Sequence, residues 1–228
     1  MAKKKDQEDE VIVDIEEVYS KSEEFVEKYK KQLTYVVGGI GLVIAGYFAY
    51  TKLYLEPLES EAQSEMFKAE QYFRQDSLEK AINGDGVAYG FVDILDFYGG
   101  TKSANLAHYY LGIAYLRQGL FEDAIDELEE FSSDDVMLTS IAEGAQGDAY
   151  MELGDKKSAV AQYMKAAEVK PNGYSSPIYL IKAGQALESM GEYKDAVEVY
   201  ESIKEDYPES QEGRDIDKYI ARASSFVN

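Results

Sequence analysis

The chain has 228 residues, no cysteine, one histidine and a formal net charge of −21. That charge argues against nucleic acid as a partner, because a phosphate-binding surface needs clustered lysine and arginine. The missing thiols exclude disulfides, thiolate zinc sites, iron–sulfur clusters, cysteine nucleophiles and a lipidated-cysteine anchor, while 45% apolar residues and four prolines point to a folded, helix-rich chain.

Residues 1–31 read as a cytoplasmic segment. The stretch "KKKDQEDE" lacks the apolar residues a core needs and is expected to be disordered. Ile15, Val18, Ser22, Phe25 and Tyr29 then recur every three or four residues, the spacing of an amphipathic helix.

Between Lys31 and Lys52 lie twenty residues without formal charge. As a helix they extend about 30 Å, the thickness of a bilayer's hydrocarbon core. Residues 32–55 are therefore read as a transmembrane helix in contact with the lipid bilayer. Its glycines, Gly38, Gly39, Gly41 and Gly46, would each cost about 1 kcal/mol in a water-exposed helix, but small residues are common where membrane helices approach each other. Gly41, Ala45 and Ala49 recur every four residues and, with Gly38, make a small-residue packing ridge. Tyr29 and Tyr35 at one end, and Tyr47, Tyr50 and Tyr54 at the other, sit where interfacial aromatics belong.

A cleaved signal fits less well, since more than thirty residues precede the apolar run and no small-x-small cleavage site follows it. Lys21, Lys28, Lys30 and Lys31 on one flank outnumber Lys52 and Lys68 on the other. By the positive-inside rule the N-terminus is cytoplasmic and the larger C-terminal part lies across the membrane.

In residues 56–100, Leu58, Ala62, Met66, Ala69 and Phe73 keep helical spacing, "NGDG" breaks the chain, and a shorter helix closes at Gly99-Gly100. This region reads as a long helix and a degenerate first repeat. In residues 101–208 three segments align: Gly112, Gly147 and Gly184, then Gly119, Gly154 and Gly191, then Ala124, Ala159 and Ala196 are all offset by 35 and then 37 residues. Each unit resembles a tetratricopeptide repeat, with Gly112 and Tyr115, Ala124 and Leu128 in the first, Gly147 and Tyr150, Ala159, Tyr163 and Pro171 in the second, and Gly184, Ala196, Tyr200 and Pro208 in the third. The small residues allow close helix contact, the large ones fill the hole beside it, and the second glycine of each unit ends its first helix. Residues 209–228, with Ile216, Tyr219, Ile220, Ala223 and Phe226 on one stripe, read as a capping helix. The fold class is thus all-α, a single transmembrane helix followed by an α-solenoid of three clear repeats.

No catalytic, cofactor-binding or metal-binding residue is expected. His108 falls at a position that packs inside a repeat, and nucleophile, metalloprotease and phosphate-loop motifs are missing. The expected binding surface is the inner face of the first helices: Tyr109, Ile113, Leu116 and Arg117, then Asp148, Met151 and Glu152, then Ile181, Gln185 and Glu188, with part of this set expected to pack within the repeats instead. Residues 56–228 carry 15 Lys and Arg against 34 Asp and Glu. An apolar floor with an acidic rim suits extended basic or apolar segments of another protein. The lysine and asparagine clamp that holds C-terminal carboxylates in one repeat subclass has no counterpart at these positions.

Taken in order, these parts resemble the YfgM family, bacterial ancillary subunits of the Sec translocon. The likeness is strongest in "SEEFVEKYKKQLTYVVGGIGLVIAGYFAYTKLYLEPLESEAQSEMFKA", where an acidic helix with a central Phe passes a basic patch into a glycine-rich span and then an Ala/Ser-rich helix. The resemblance implies a non-enzymatic adaptor in the bacterial inner membrane with a periplasmic repeat domain. It also implies SecYEG, a PpiD-like membrane-anchored peptidyl-prolyl isomerase and translocating polypeptides as partners. A scaffold for another envelope assembly machine (cell wall, division or outer-membrane biogenesis) and an organellar import receptor of reversed topology remain as alternatives.

Overall fold

The computed structural model describes residues 15–227, with side chains from Val26 onward. The "KKKDQEDE" stretch and the side chains of Ile15, Val18, Ser22 and Phe25 lie outside the described residues. The chain divides into two compact units, Met1–Glu56 and Pro57–Asn228.

The first unit is α1 (Ile15–Tyr50) followed by one π-helical turn, Thr51–Leu55. The Thr51 hydroxyl donates to the Phe48 carbonyl at 3.1 Å, and the Glu56 amide reaches back five residues to the Thr51 carbonyl. A hydroxyl that competes for a carbonyl of the preceding turn is one way to loosen α geometry into a π turn. α1 holds a stretch long and apolar enough to cross a membrane, and none of that stretch is buried. Tyr35, Leu42 and Val43 are 79%, 77% and 74% exposed. A core helix of a soluble domain would be mostly covered at these positions.

The second unit contains no strand among the described residues. Its first helix, α2 (Glu56–Arg74), buries Ala62, Met66 and Ala69. The helical spacing carries the eye past Arg74, but the chain breaks there. Asp76 adopts φ +57°, and the Ser77 amide donates to the Tyr72 carbonyl at 2.9 Å, a helix end in which aspartate takes the left-handed place usually given to glycine. α3 (Leu78–Asn83) and α4 (Phe91–Tyr98) follow. Glu59 of α2 then ties the start of α5 (Lys102–Gln118). Its carboxylate accepts from the Lys102 amide at 2.6 Å, the Ser103 amide at 3.2 Å and the Ser103 hydroxyl at 2.8 Å. An anion at a helix N-terminus satisfies amides that have no partner within the helix.

Three antiparallel pairs come next: α5 with α6 (Phe121–Glu130), α7 (Val136–Glu152) with α8 (Lys156–Glu168), and α9 (Ser176–Met190) with α10 (Tyr193–Asp206). Two short helices, α11 (Gln211–Asp215) and α12 (Asp217–Ser224), cover the last pair by burying Ile216 and Ala223. Phe226, expected on the same buried stripe, is 56% exposed and stacks on Tyr193 instead. The turn glycines Gly119, Gly154 and Gly191 have φ of +79°, +80° and +81°, a backbone that a side chain would strain. Pro171 and Pro208 stand just beyond the ends of α8 and α10, where no helical amide is needed. The architecture is an α-solenoid of helix pairs, and its core is a series of apolar clusters between successive helices, the last two sharing Val160, Met164, Tyr179 and Val199.

Candidate interaction groove

Within each pair the first helix meets the second at a glycine. A Cβ on Gly112 would stand 2.5 Å from Leu128 Cγ, and one on Gly147 would stand 2.6 Å from the Tyr163 ring. At Gly184 it would run into Tyr200. In the second and third pairs the ring therefore packs close against the glycine, and its phenol meets a carboxylate of the first helix. Tyr163 Oη donates to Asp148 at 2.6 Å and Tyr200 Oη to Glu188 at 2.8 Å. Burial, and then the carboxylate beside it, pushes each of these phenols well above its ordinary range. Gly144 repeats the device between pairs, since a Cβ there would strike the Tyr179 ring of α9.

These contacts position a cavity of about 820 Å³ on the face made by the first helices. Leu116 and Arg117 of α5, Asp148, Met151 and Glu152 of α7, and Lys182 and Gln185 of α9 line it, with Tyr163 and Phe121 contributing from the second helices. Lys182 Nζ donates to both oxygens of Asp148, at 2.7 and 2.8 Å, and lies 5.5 Å from the centre of the Tyr163 ring. Tyr163, Asp148 and Lys182 thus form a polar bridge across three helices in what the sequence presents as an apolar floor. Arg117 lies over the Phe73 ring at 4.7 Å and 3.7 Å from Asp76. A second cavity of about 310 Å³, also bordered by Lys182, continues along α9 to α11 and α12 and is lined by Ile178, Ile181, Gln211, Glu212, Asp215, Lys218 and Tyr219.

Of the residues expected on this face, Leu116, Arg117, Asp148, Met151, Glu152 and Gln185 line the larger cavity together. Ile181 lines the smaller one and also packs on the C-terminal core. Tyr109 and Ile113 pack against Leu128, Ala142 and Ala145, and the Tyr109 ring lies 5.3 Å from that of Phe131. Burial raises the Tyr109 phenol above its ordinary value, with the Arg117 charge opposing. Glu188 is tied down by Tyr200 and by two bonds from Arg222, at 2.8 and 3.0 Å. Lys182 is the cation that the sequence reading missed. It sits three residues before Gln185, on the same helical face, which is the signal that could have placed it. His108 Nδ1 is 2.7 Å from Glu127, and the residue, half-buried, lines neither of these cavities but a separate one of about 350 Å³ with Leu95, Thr101, Asn105 and Glu130.

On α1, Gly38, Gly41, Ala45 and Ala49 are exposed. Apart from the adjoining residues and the helix's own backbone, no atom lies within 4 Å of where a Cβ would stand at Gly38 or Gly41. Among the described residues, no group of three or more His, Cys, Asp or Glu is placed to hold a metal ion.

The tetratricopeptide repeat family profile matches residues 97–133 and 145–210. No curated protein sequence matches the chain. Among solved structures, the nearly identical TPR-like repeats of a kinesin light chain from Podosopora anserina align with a TM-score of 0.53 at 16% identity, over 74% of this chain and 87% of that one. At that identity the likeness bears on the fold alone. The matched segments cover the first and third pairs and all of the second except the start of α7, and these pairs are similar to tetratricopeptide repeats, a fold that is typically a non-catalytic scaffold for protein–protein interaction.

Proposed function

We propose that this chain is a membrane-anchored adaptor of the YfgM kind, an ancillary subunit of the Sec translocon in the bacterial inner membrane. Its N-terminus is cytoplasmic, its repeats are periplasmic, and it helps receive emerging polypeptides. The observation that carries the interaction role is the first-helix face, where side chains from α5, α7 and α9 converge on one cavity. Support for a membrane anchor comes from α1, whose apolar window is uncovered along its length. The translocon as partner rests on the sequence resemblance across residues 22–69, and the orientation rests on the lysine asymmetry about the span.

Isolation of the full chain from membranes in mild detergent, followed by mass spectrometry, tests the partner. Recovery of SecYEG subunits and a PpiD-like isomerase is the expected result. Recovery of a different envelope complex, with no translocon subunit, would replace the translocon by that machine as the partner. Replacing α1 by an unrelated membrane helix then separates the two halves: loss of the complex assigns recognition to Gly38, Gly41, Ala45 and Ala49, and its retention assigns it to the repeats. Protease protection of residues 57–228 in vesicles of known sidedness tests the topology, and a cytosolic repeat domain would favour an import receptor.

A further inference from the structure

The charges around the two adjoining cavities are unevenly spent. Each cation on their walls is already matched within the chain: Arg117 by Asp76, Lys182 by Asp148, and Lys218 by Asp215 at 3.4 Å. Two carboxylates are not. Glu152 in the larger cavity and Glu212 in the smaller one receive neither an ion pair nor a hydrogen bond among the described residues. Lys182 stands between them and borders both cavities. Three glutamines on the same walls, Gln118, Gln185 and Gln211, also have side-chain amides without hydrogen-bond partners, and each offers one donor pair and one acceptor.

From this distribution we infer that the groove takes an extended segment of another protein carrying two basic side chains, one meeting Glu152 and the other Glu212, on either side of Lys182. The reading deepens the adaptor role and rests on it. Amide side chains along a wall suit an extended backbone, whose peptide groups have no partners of their own. Met151 and Leu116 in one cavity and Ile178 in the other give apolar contact to the residues between the basic ones. Lys182 acts against such a guest in two ways. It repels a cation directly, and it occupies Asp148, which would otherwise be a third carboxylate facing the segment. Lys182 therefore sets the spacing that is accepted, because a basic residue at the junction of the cavities meets another cation.

The test uses the full chain in detergent micelles and a fluorescein-labelled peptide of about ten residues with two arginines, a length suited to extended groove binding. Control peptides carry glutamate or alanine in place of both arginines. The arginine peptide is expected to bind tightest and to weaken as salt rises, since exposed charge pairs are screened. Glu152→Gln and Glu212→Gln should each reduce its affinity roughly three- to tenfold, as expected for single charge contacts. Lys182→Gln should raise it severalfold by releasing Asp148, a sign that general loosening of the fold would not produce.

Equal binding of the glutamate or alanine peptide, unchanged affinity in both glutamate variants, or no binding of any peptide would overturn the inference. If the alanine peptide binds as well as the arginine one, the charge rule fails while the groove and the adaptor role stand. If detergent isolation recovers no translocon while the arginine preference holds, the translocon assignment fails and the groove rule survives.

Discussion

At Gly38, Gly39, Gly41 and Gly46 of α1 a side chain would meet nothing within 4 Å, whereas at Gly112, Gly147 and Gly184 of the repeats it would meet Leu128, Tyr163 and Tyr200. Both sets sit inside helices, where each glycine costs about 1 kcal/mol relative to alanine. In the repeats that cost is offset within the chain, because the absent Cβ lets a large side chain of the second helix lie against the first. In α1 no contact in the described chain requires the small residue. A glycine that the fold needs and a glycine that only a surrounding medium or neighbour could need are thus indistinguishable by type, and they are separated by what stands opposite.

The strongest way to break this contrast is on the repeat side. Leu128→Ala removes a side chain that is 1% exposed over Gly112, and should cost about 3 kcal/mol by the usual penalty for emptying a core site. Gly112→Ala should cost about 2 kcal/mol by overpacking. In the Leu128→Ala background the added methyl enters vacated space, so its cost should shrink by 1 kcal/mol or more, a coupling readable from a urea-denaturation double-mutant cycle. Additive penalties would show that the two residues do not wedge against each other.

A smaller effect is expected at the phenols. Tyr200→Phe loses the bond to Glu188 but leaves that carboxylate held by Arg222, so it should cost about 1 kcal/mol at neutral pH. Tyr179, whose ordinary value is 10.0, is pushed up to about 12 by burial and then by Asp148. A phenol raised in the folded chain keeps its proton after the unfolded chain has released it. The stability it contributes is therefore complete below pH 10 and drains away from there to about pH 12. Unfolding free energy measured across that window should fall with pH, and Tyr179→Phe should flatten the slope.

Smaller still is Asp85, which accepts from the Val87 amide at 2.9 Å, the Ala88 amide at 2.8 Å and Tyr72 Oη at 2.6 Å. The Ala88 amide first, then Tyr72 and the Val87 amide, hold its carboxyl far below the ordinary carboxylate range. The order it lends to the loop is present above pH 4 and is lost as acid protonates it. Asp85→Ala should speed hydrogen exchange at Val87 and Ala88 while leaving the global denaturation midpoint unchanged. At the bottom of the scale, Gly38→Ala and Gly46→Ala should leave the unfolding of residues 57–228 unchanged. Any shift there would mean that α1 is energetically coupled to the repeats, and the contrast would fail.

Much of the repeat architecture was legible because close packing leaves a mark at fixed spacing. Gly112, Gly147 and Gly184 stay in phase with Leu128, Tyr163 and Tyr200 since both members of each wedge lie within one repeat. The Gly144–Tyr179 wedge was not legible, because it joins α7 to α9 and appears once. Periodicity likewise places Tyr109 and Ile113 on the same helix as Leu116 and Arg117, but says nothing of Phe131 and Ala142, which arrive from a later loop and helix to cover them. Lys182 escaped because a lysine on a first helix reads as solvated until Asp148, 34 residues earlier, is brought within 2.7 Å. The π turn at Thr51–Leu55 and the helix end at Asp76 depend on single hydroxyl and backbone conformations that apolar spacing does not register.

Were the chain tethered on its N-terminal side, as proposed above, the grip of Glu59 on the start of α5 would have a mechanical meaning. Glu59 lies in the first turn of α2, yet its three hydrogen bonds land 43 and 44 residues further along. Tension arriving through the backbone is therefore shared with α5 as soon as it enters the repeat domain, before it has run the length of α2. The bonds join α2 directly to the start of α5. A pull on α2 would then also load these three contacts, so the domain would be held at the start of α5 as well as through α2.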